Sequence, residues 1–288
     1  MALRDLLVYV DQSEGACVRL RLAADLARRH ESRLTALFVR EFTSAQLYEQ
    51  GTAELGLASA EGMDRTNWHI HQSINDTEQR LRAALETVKQ EYGLKTEWRS
   101  LDGVASTVVP QHARYADLCI LGQSAPVDNA AVGYSFGEQL LFVTGRPVLF
   151  VPALGSFDTL GRHILVAWNS SRPSARSLND ALPLIERAEQ TTVVTLNPTE
   201  FIDRHGALPA DRMVEHLSRH TTASVQGIQL INVPAASIAD ALQAEAHKMG
   251  ADVIVAGAYG HPMLWEKLLG GVTHDLLARM SLPVMMSH

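Results

Sequence analysis

Four glycines define the residues best suited to chemistry. Gly257, Gly260, Gly270 and Gly271 sit in the run G-AY-G-HPMLWEKLL-GG-V-T, residues 257–273. It follows the apolar stretch DVIVA (252–256) and precedes HDLLARM (274–280). A strand leading into spaced glycines and then a helix start is an arrangement that holds anions. Glycine lets main chain approach an anion closely, and a helix start adds unpaired N–H donors and the positive end of the dipole. The implied chemistry is phosphate binding. No Gly-x4-Gly-Lys-Ser/Thr run accompanies it. Ser170 and Ser171 follow an apolar run but lack the G-x-S-x-G elbow of a hydrolase. No nucleophile stands beside a base, so the expectation is binding and sensing, not fast catalysis. His261, His274 and His288 lie near the run, but their spacing is not that of a zinc site. We expect no metal site there.

The elements that position these glycines recur. DLLVYVD (5–11) resembles HILVAWN (163–169), and ADLCILG (116–122) resembles ADVIVAG (251–257). RPVLFV (146–151) likewise resembles LPVMMS (282–287). Between the first landmarks, helical spacing places Leu20, Ala23, Ala24 and Ala27 on one face, and RLTALFV (33–39) follows as a strand. In the second half, Ala175, Leu178, Leu182 and Ile185 form the stripe, and TTVVTLN (191–197) follows. Further helices are expected over 73–92, with Leu81, Leu85 and Val88 inward, over 209–220 and over 237–249. Strands are expected over 95–101 and 225–232. Each half then reads β-α-β-α-β-α-β-α-β. Alternation of this kind predicts an α/β fold with two doubly wound parallel sheets and ligands at the carboxyl ends of the strands. The first half is longer between its landmarks, and the surplus over 42–72 is read as a partly helical insertion, with a plain decorated loop as the equal alternative. The junction falls near ALGSFD (153–158), giving domains 1–153 and 159–288.

Bulk properties fit two globular domains. The chain has 288 residues, of which 46% are hydrophobic and 20% charged, with a net charge of −7. That balance argues against a nucleic-acid binder, which would show a basic face. No apolar run approaches membrane-spanning length. The N-terminal MALRDLLVYVDQ does not read as a signal peptide, so the cytoplasm is the expected location. Two cysteines, Cys17 and Cys119, are expected to be buried and reduced.

The repeat and the glycine spacing together resemble a tandem universal stress protein, whose motif is G-x2-G-x9-G-S/T. Gly257, Gly260 and Gly270 match it, and Gly271 stands at the Ser/Thr position. The resemblance covers both halves except the insertion. It implies Rossmann-like domains of the adenine-nucleotide alpha-hydrolase type, paired through their last strands (147–152 and 283–288) as an intramolecular pseudo-dimer. A homodimer of such chains is left open. It also implies ATP or another adenine nucleotide, with or without Mg, in the second half. Ala167, Trp168 and Asn169 would lie near the base. Gly257, Gly260, Gly270, Gly271, Val272 and Thr273 would lie near ribose and phosphates, with Thr273 supplying a hydroxyl that position 271 lacks. In the first half Asp11 is kept, but Ala125 and Tyr134 replace motif glycines, and the pocket is expected to be plugged by them. The alternatives are a nucleotide-free stress scaffold with vestigial pockets and a slow ATPase.

Overall fold

A computed structural model of the chain describes residues 2–41, 60–124, 135–157, 159–197, 210–234, 237–259 and 271–288, with side chains of the long second helix described from residue 71. The first half runs β1 (Asp5–Val10), α1 (Ala16–His30), β2 (Arg33–Arg40), α2 (Ala60–Tyr92), β3 (Lys95–Asp102), α3 (Ala105–Ala113), β4 (Leu118–Gly122), α4 (Phe136–Val143) and β5 (Val148–Val151). The second runs β6 (His163–Ala167), α5 (Arg172–Ile185), β7 (Gln190–Leu196), α6 (Ala210–Leu217), β8 (Ser224–Leu230), α7 (Ile238–Lys248), β9 (Val253–Gly257), α8 (Val272–Ala278) and β10 (Val284–Ser287).

All ten strands form one sheet in the order β3-β2-β1-β4-β5-β10-β9-β6-β7-β8. Pairing is parallel within each half. Among the described residues the single antiparallel pair is β5 with β10, where Val284 faces Phe150, Met285 faces Leu149 and Met286 faces Val148. Each half therefore places its first strand between its second and fourth. The chain leaves that strand in opposite directions, which opens a crevice at the carboxyl ends of β1 and β4 and another at those of β6 and β9.

Apolar strands buried on both faces demand two cores, one on each side of the sheet. Leu20, Ala23, Leu81, Leu178 and Ile185 pack on one face, with Leu149, Val151 and Met285 beneath them. Val109, Leu140, Leu242, Leu277 and Met280 pack on the other, against Val148, Phe150, Val284 and Met286. Both cores thus run through the β5–β10 seam. The repeated aspartates have a local role. Asp117 accepts hydrogen bonds from the backbone N–H groups of Arg4 (2.7 Å) and Asp5 (3.0 Å). Asp252 does the same for Gly161 (2.8 Å) and Arg162 (3.0 Å). Each ties the entry of the half's first strand to that of its fourth.

Three local expectations differ from the structure. The helix expected from residue 73 begins at Ala60, inside the stretch read as an insertion, and 42–59 lie outside the described residues. Ala175 faces solvent, and its expected place on the inner stripe of α5 is taken by the buried Ser174 and Ser177. Their hydroxyls donate to the carbonyls of Ser171 (2.8 Å) and Ser174 (3.1 Å), so helix backbone satisfies them without water. Cys17 is half-buried rather than buried, whereas burial pushes the Cys119 thiol up to about 12; both are free. Among the described residues, no helix is long and apolar enough to cross a membrane.

Candidate functional site

Strand register brings the two groups of expected site residues together. β6 and β9 are neighbours, with Ala167 opposite Ala256, so the ends of these strands are adjacent. Ala167 closes β6, and Trp168 and Asn169 follow it; Gly257 closes β9. Gly271 caps α8, Val272 opens it and Thr273 is buried in its first turn. Gly260 and Gly270 lie outside the described residues.

Each glycine and hydroxyl has its own reason to be there. A Cβ on Gly257 would lie 2.3 Å from the Ser174 nitrogen and 2.5 Å from the Pro173 carbonyl carbon. Gly257 therefore admits the first turn of α5 to close approach at the end of β9. The small Ser174 serves the same contact from the helix side. Thr273 Oγ1 accepts from the Tyr259 N–H (3.2 Å), which engages the expected phosphate hydroxyl in holding the turn after β9. Tyr259 takes the left-handed conformation in that turn, with φ 55°. Gly271 differs again. Its φ of −69° suits any residue, and among the described residues a Cβ there would meet no atom within 4 Å. A serine should fit without strain and restore the missing hydroxyl. If the crevice takes a phosphate-bearing ligand such as ATP, Gly271→Ser is expected to tighten its binding about fivefold, the worth of one net hydrogen bond of roughly 1 kcal/mol. Titration calorimetry measures it, and an unchanged constant would remove position 271 from the site.

Beyond β6, Asn169 Oδ1 accepts from the Ser171 N–H (3.1 Å), and Ser171 Oγ caps α5 by accepting from the Ser174 N–H (3.3 Å). Trp168 N–H donates to the Val194 carbonyl (2.9 Å), which carries the β6–β7 ladder one residue further and sets Trp168 beside Thr195. Both residues are 7% exposed. Trp168 Nε1 and Thr195 Oγ1 are buried without a hydrogen-bond partner among the described residues. Buried polar atoms are nearly always paired. These two unpaired atoms lie at the carboxyl ends of adjacent strands; His30 Nε2, Ser100 Oγ and Thr191 Oγ1 are in the same condition elsewhere in the fold.

The first half's crevice is built differently. Asp11 makes the same turn as Asn169, accepting from the Ser13 N–H (3.0 Å). Its charge, however, draws in Arg19. That guanidinium is buried, with Nη2 2.9 Å from Asp11 Oδ1 and Nε donating to the Tyr9 carbonyl (2.8 Å). It lies against Gly122, where a Cβ would be 2.1 Å from Nη1. Burial pushes the Asp11 carboxyl up, but Arg19 and the Ser13 hydrogen bonds outweigh that and hold it below the ordinary carboxylate range. The expected plugs, Ala125 and Tyr134, lie outside the described residues. The occupant described is Arg19, which sequence reasoning missed. Its signal was available: in register with Asp11 and Asn169, Arg19 corresponds to Ser177. The charged pair and the uncharged pair Asn169–Ser177 alternate together.

A second residue missed in the sequence is Glu138 of α4. It is 2% exposed. Its Oε2 accepts from the Ser135 N–H (2.7 Å) in a capping box. Its Oε1 accepts from the Tyr259 hydroxyl (2.7 Å) and lies 3.2 Å from His274 Nδ1. Burial raises the carboxyl pKa, but the hydrogen bonds from Ser135 and Tyr259 and the charge of His274 bring it below its ordinary value. Phe142, one turn on, lies tilted against the Tyr259 ring, with centroids 4.7 Å apart, and edge-to-face with the His288 ring at 4.8 Å. Among the described residues no three metal-binding side chains come together.

Residues 161–288 match the model of the universal stress protein family. No curated protein matches the chain. Among solved structures, a universal stress protein from Archaeoglobus fulgidus DSM 4304 is 18% identical with a TM-score of 0.69, covering 98% of this chain and 94% of its own. A Pseudomonas aeruginosa UCBPP-PA14 protein is 16% identical with a TM-score of 0.53, covering 99% and 92%. A functionally unknown protein from Pseudomonas aeruginosa PAO1 is 18% identical with a TM-score of 0.52, covering 99% and 92%. At these identities the likeness establishes the fold: an α/β chain of two Rossmann-like halves.

Proposed function

We propose that this chain is a cytoplasmic stress-response protein of two universal stress domains, 1–153 and 159–288, that binds ATP or a related adenine nucleotide in the second. The observation that carries this reading is the crevice at the carboxyl ends of β6 and β9, where Ala167, Trp168 and Asn169 meet Gly257 and where Trp168 Nε1 and Thr195 Oγ1 are buried with no partner among the described residues. An indole N–H and a hydroxyl suit the acceptor-rich edge of a purine or a ribose. Asn169 stands next to them, half-buried, and Gly271 offers open main chain towards the phosphates. Any Mg would arrive with the nucleotide's phosphates. The strand-order reversal between β6 and β9 is where such folds take ligands. The β5–β10 pairing supports the pseudo-dimer reading, with one domain binding and the other closed by its own arginine.

Nucleotide binding can bias conformation or partner choice only through its differential affinity for two states. Sensing therefore needs a segment that responds to the ligand, and 260–270 is the segment whose glycines are spaced for it. Gly260→Val is expected to abolish ATP binding and leave the melting temperature of the nucleotide-free protein within a few degrees. Calorimetry with ATP measures the first and thermal unfolding the second. Mass spectrometry of ligand released on denaturing the purified protein supplies an independent check. If the wild-type protein releases no nucleotide and is not stabilised by ATP, the nucleotide-free scaffold replaces this reading. The guanidinium that occupies the first crevice is the observation in that scaffold's favour.

A further inference from the structure

Helices α1 and α5 share one face of the sheet, and their carboxyl ends meet there. In the register that equates Asp11 with Asn169, Arg29 of α1 answers to Arg187, which follows α5, and His30 answers to Ala188. Arg187 Nη1 donates to the Arg29 carbonyl, the oxygen of the peptide that leads into His30. Arg29 Nη2 donates to the Leu160 carbonyl at the entry of the second half, and its Nε lies 2.9 Å from Asp25 Oδ2. Each guanidinium is thus fixed by a backbone carbonyl of the opposite half.

His30 closes α1 beside these arginines. It is 6% exposed, and its Nε2 is buried with no hydrogen-bond partner among the described residues. The carboxylates near it are engaged elsewhere or face water. Asp25 holds Arg28 and Arg29, Glu189 holds Arg162, and Glu31 and Glu186 are exposed. The charges that act on His30 are those of Arg187 and Arg29, and both oppose a further cation. The negative end of the α1 dipole would favour one, but the Arg187 guanidinium already occupies the Arg29 carbonyl.

We propose that His30 makes this junction acid-sensitive: when the ring takes a proton from water, the end of α1 lifts from Leu160 and Arg187, and the halves loosen on that face while the β5–β10 seam holds. This is independent of nucleotide binding. A buried imidazolium needs an acceptor or water, and two fixed guanidiniums supply neither. Burial, with Arg187 and Arg29 adding to it, pushes the His30 pKa down from 6.5 to about 4. Once the end of α1 has opened, the ring regains its ordinary value. A folded value below the open one means that the contact has its full strength above 6.5 and loses it as pH falls towards 4. Near pH 5 the open fraction should be about twentyfold its value near pH 7.

The test uses the full chain without nucleotide. Amide exchange, corrected for its intrinsic pH dependence, reads the end of α1 at Ser32, whose N–H donates to the Ala27 carbonyl (2.8 Å). In the wild type, opening at Ser32 should rise about twentyfold from about pH 7 to about pH 5, while amides of β5 and β10 keep their protection. His30→Gln keeps a polar side chain that cannot charge, and His30→Ala installs the residue of the counterpart position. Neither should show the rise, and because the readout is a change with pH, a lower baseline stability does not spoil it. Followed by NMR, the wild-type His30 ring should titrate well below the ordinary histidine value. A rise of equal size in both variants, or a His30 ring that titrates at the ordinary value, would overturn the proposal. So would a rise shared by β5 and β10, which would be general unfolding and not an opened junction.

Discussion

Replacing Gly257 by alanine is expected to cost about 3 kcal/mol or more of stability, the upper range for forcing atoms into a packed interior. The added Cβ would lie 2.3 Å from the Ser174 nitrogen, 2.5 Å from the Pro173 carbonyl carbon and 2.8 Å from the Ser174 Cα. All three are backbone atoms of the first turn of α5, so no rotamer change relieves the contact. The helix itself must move off β9. That motion would also disturb Ser287, whose hydroxyl donates to Asp180 of α5 (2.8 Å). Two companions calibrate the effect. Gly271→Ala adds a Cβ that meets no atom of the described residues within 4 Å and should be nearly silent. Gly122→Ala meets only the end of the Arg19 side chain, which can swing out, and should fall between them. Urea unfolding of the three variants measures the order. If Gly257→Ala unfolded with the wild-type midpoint, the close approach of α5 would not be a constraint on the sequence.

Arg19→Met should destabilise the protein by about 2 kcal/mol, the scale of a hydrogen bond to a charged group, because Arg19 is buried but Asp11 keeps a third of its side chain exposed to water. Methionine keeps the apolar stem but leaves Asp11 without its cation and the Tyr9 carbonyl without its donor. The loss depends on pH. Asp11 has a lowered pKa in the folded protein. Its contribution is therefore present above the unfolded pKa of an aspartate and is lost as pH falls through the lower folded value. In the variant, burial acts on Asp11 without the opposing guanidinium, so its carboxyl moves upward. The wild-type advantage should be widest near neutral pH and shrink as the medium is acidified into the carboxylate range. Urea midpoints for both proteins from neutral to acidic pH measure this. A gap that stayed constant would mean that packing, not charge, is what Arg19 contributes.

The strands and most of the helical stripes were legible because a two-residue or 3.6-residue period reports burial directly. Leu20, Ala23, Ala24 and Ala27 lie inside as the spacing implies. The period fails where polar residues are buried with local partners. Ser174 and Ser177 point inward because their hydroxyls bond to their own helix, and no hydropathy pattern announces that. Arg19 was illegible alone, since arginine on a helix normally faces water. It becomes legible only beside Asp11 and against the Asn169–Ser177 pair of the repeat. Glu138 was hidden for another reason. Its partners Tyr259 and His274 lie in the other half of the chain, and no local spacing encodes contacts across a seam. Gly257 was legible as a point of close approach, but the sequence does not say that the first turn of α5 is what approaches.

The seam has a kinetic meaning as well. Where two separate chains meet edge to edge, their union weakens on dilution. Here strands β5 and β10 are tethered in one molecule, so each meets the other at a fixed, high effective concentration whatever the protein level in solution. Neither edge must remain attractive to strangers. That freedom lets the two halves drift apart in chemistry while staying mated, one surrendering its crevice to Arg19 and the other placing the uncharged Ser177 at the equivalent position.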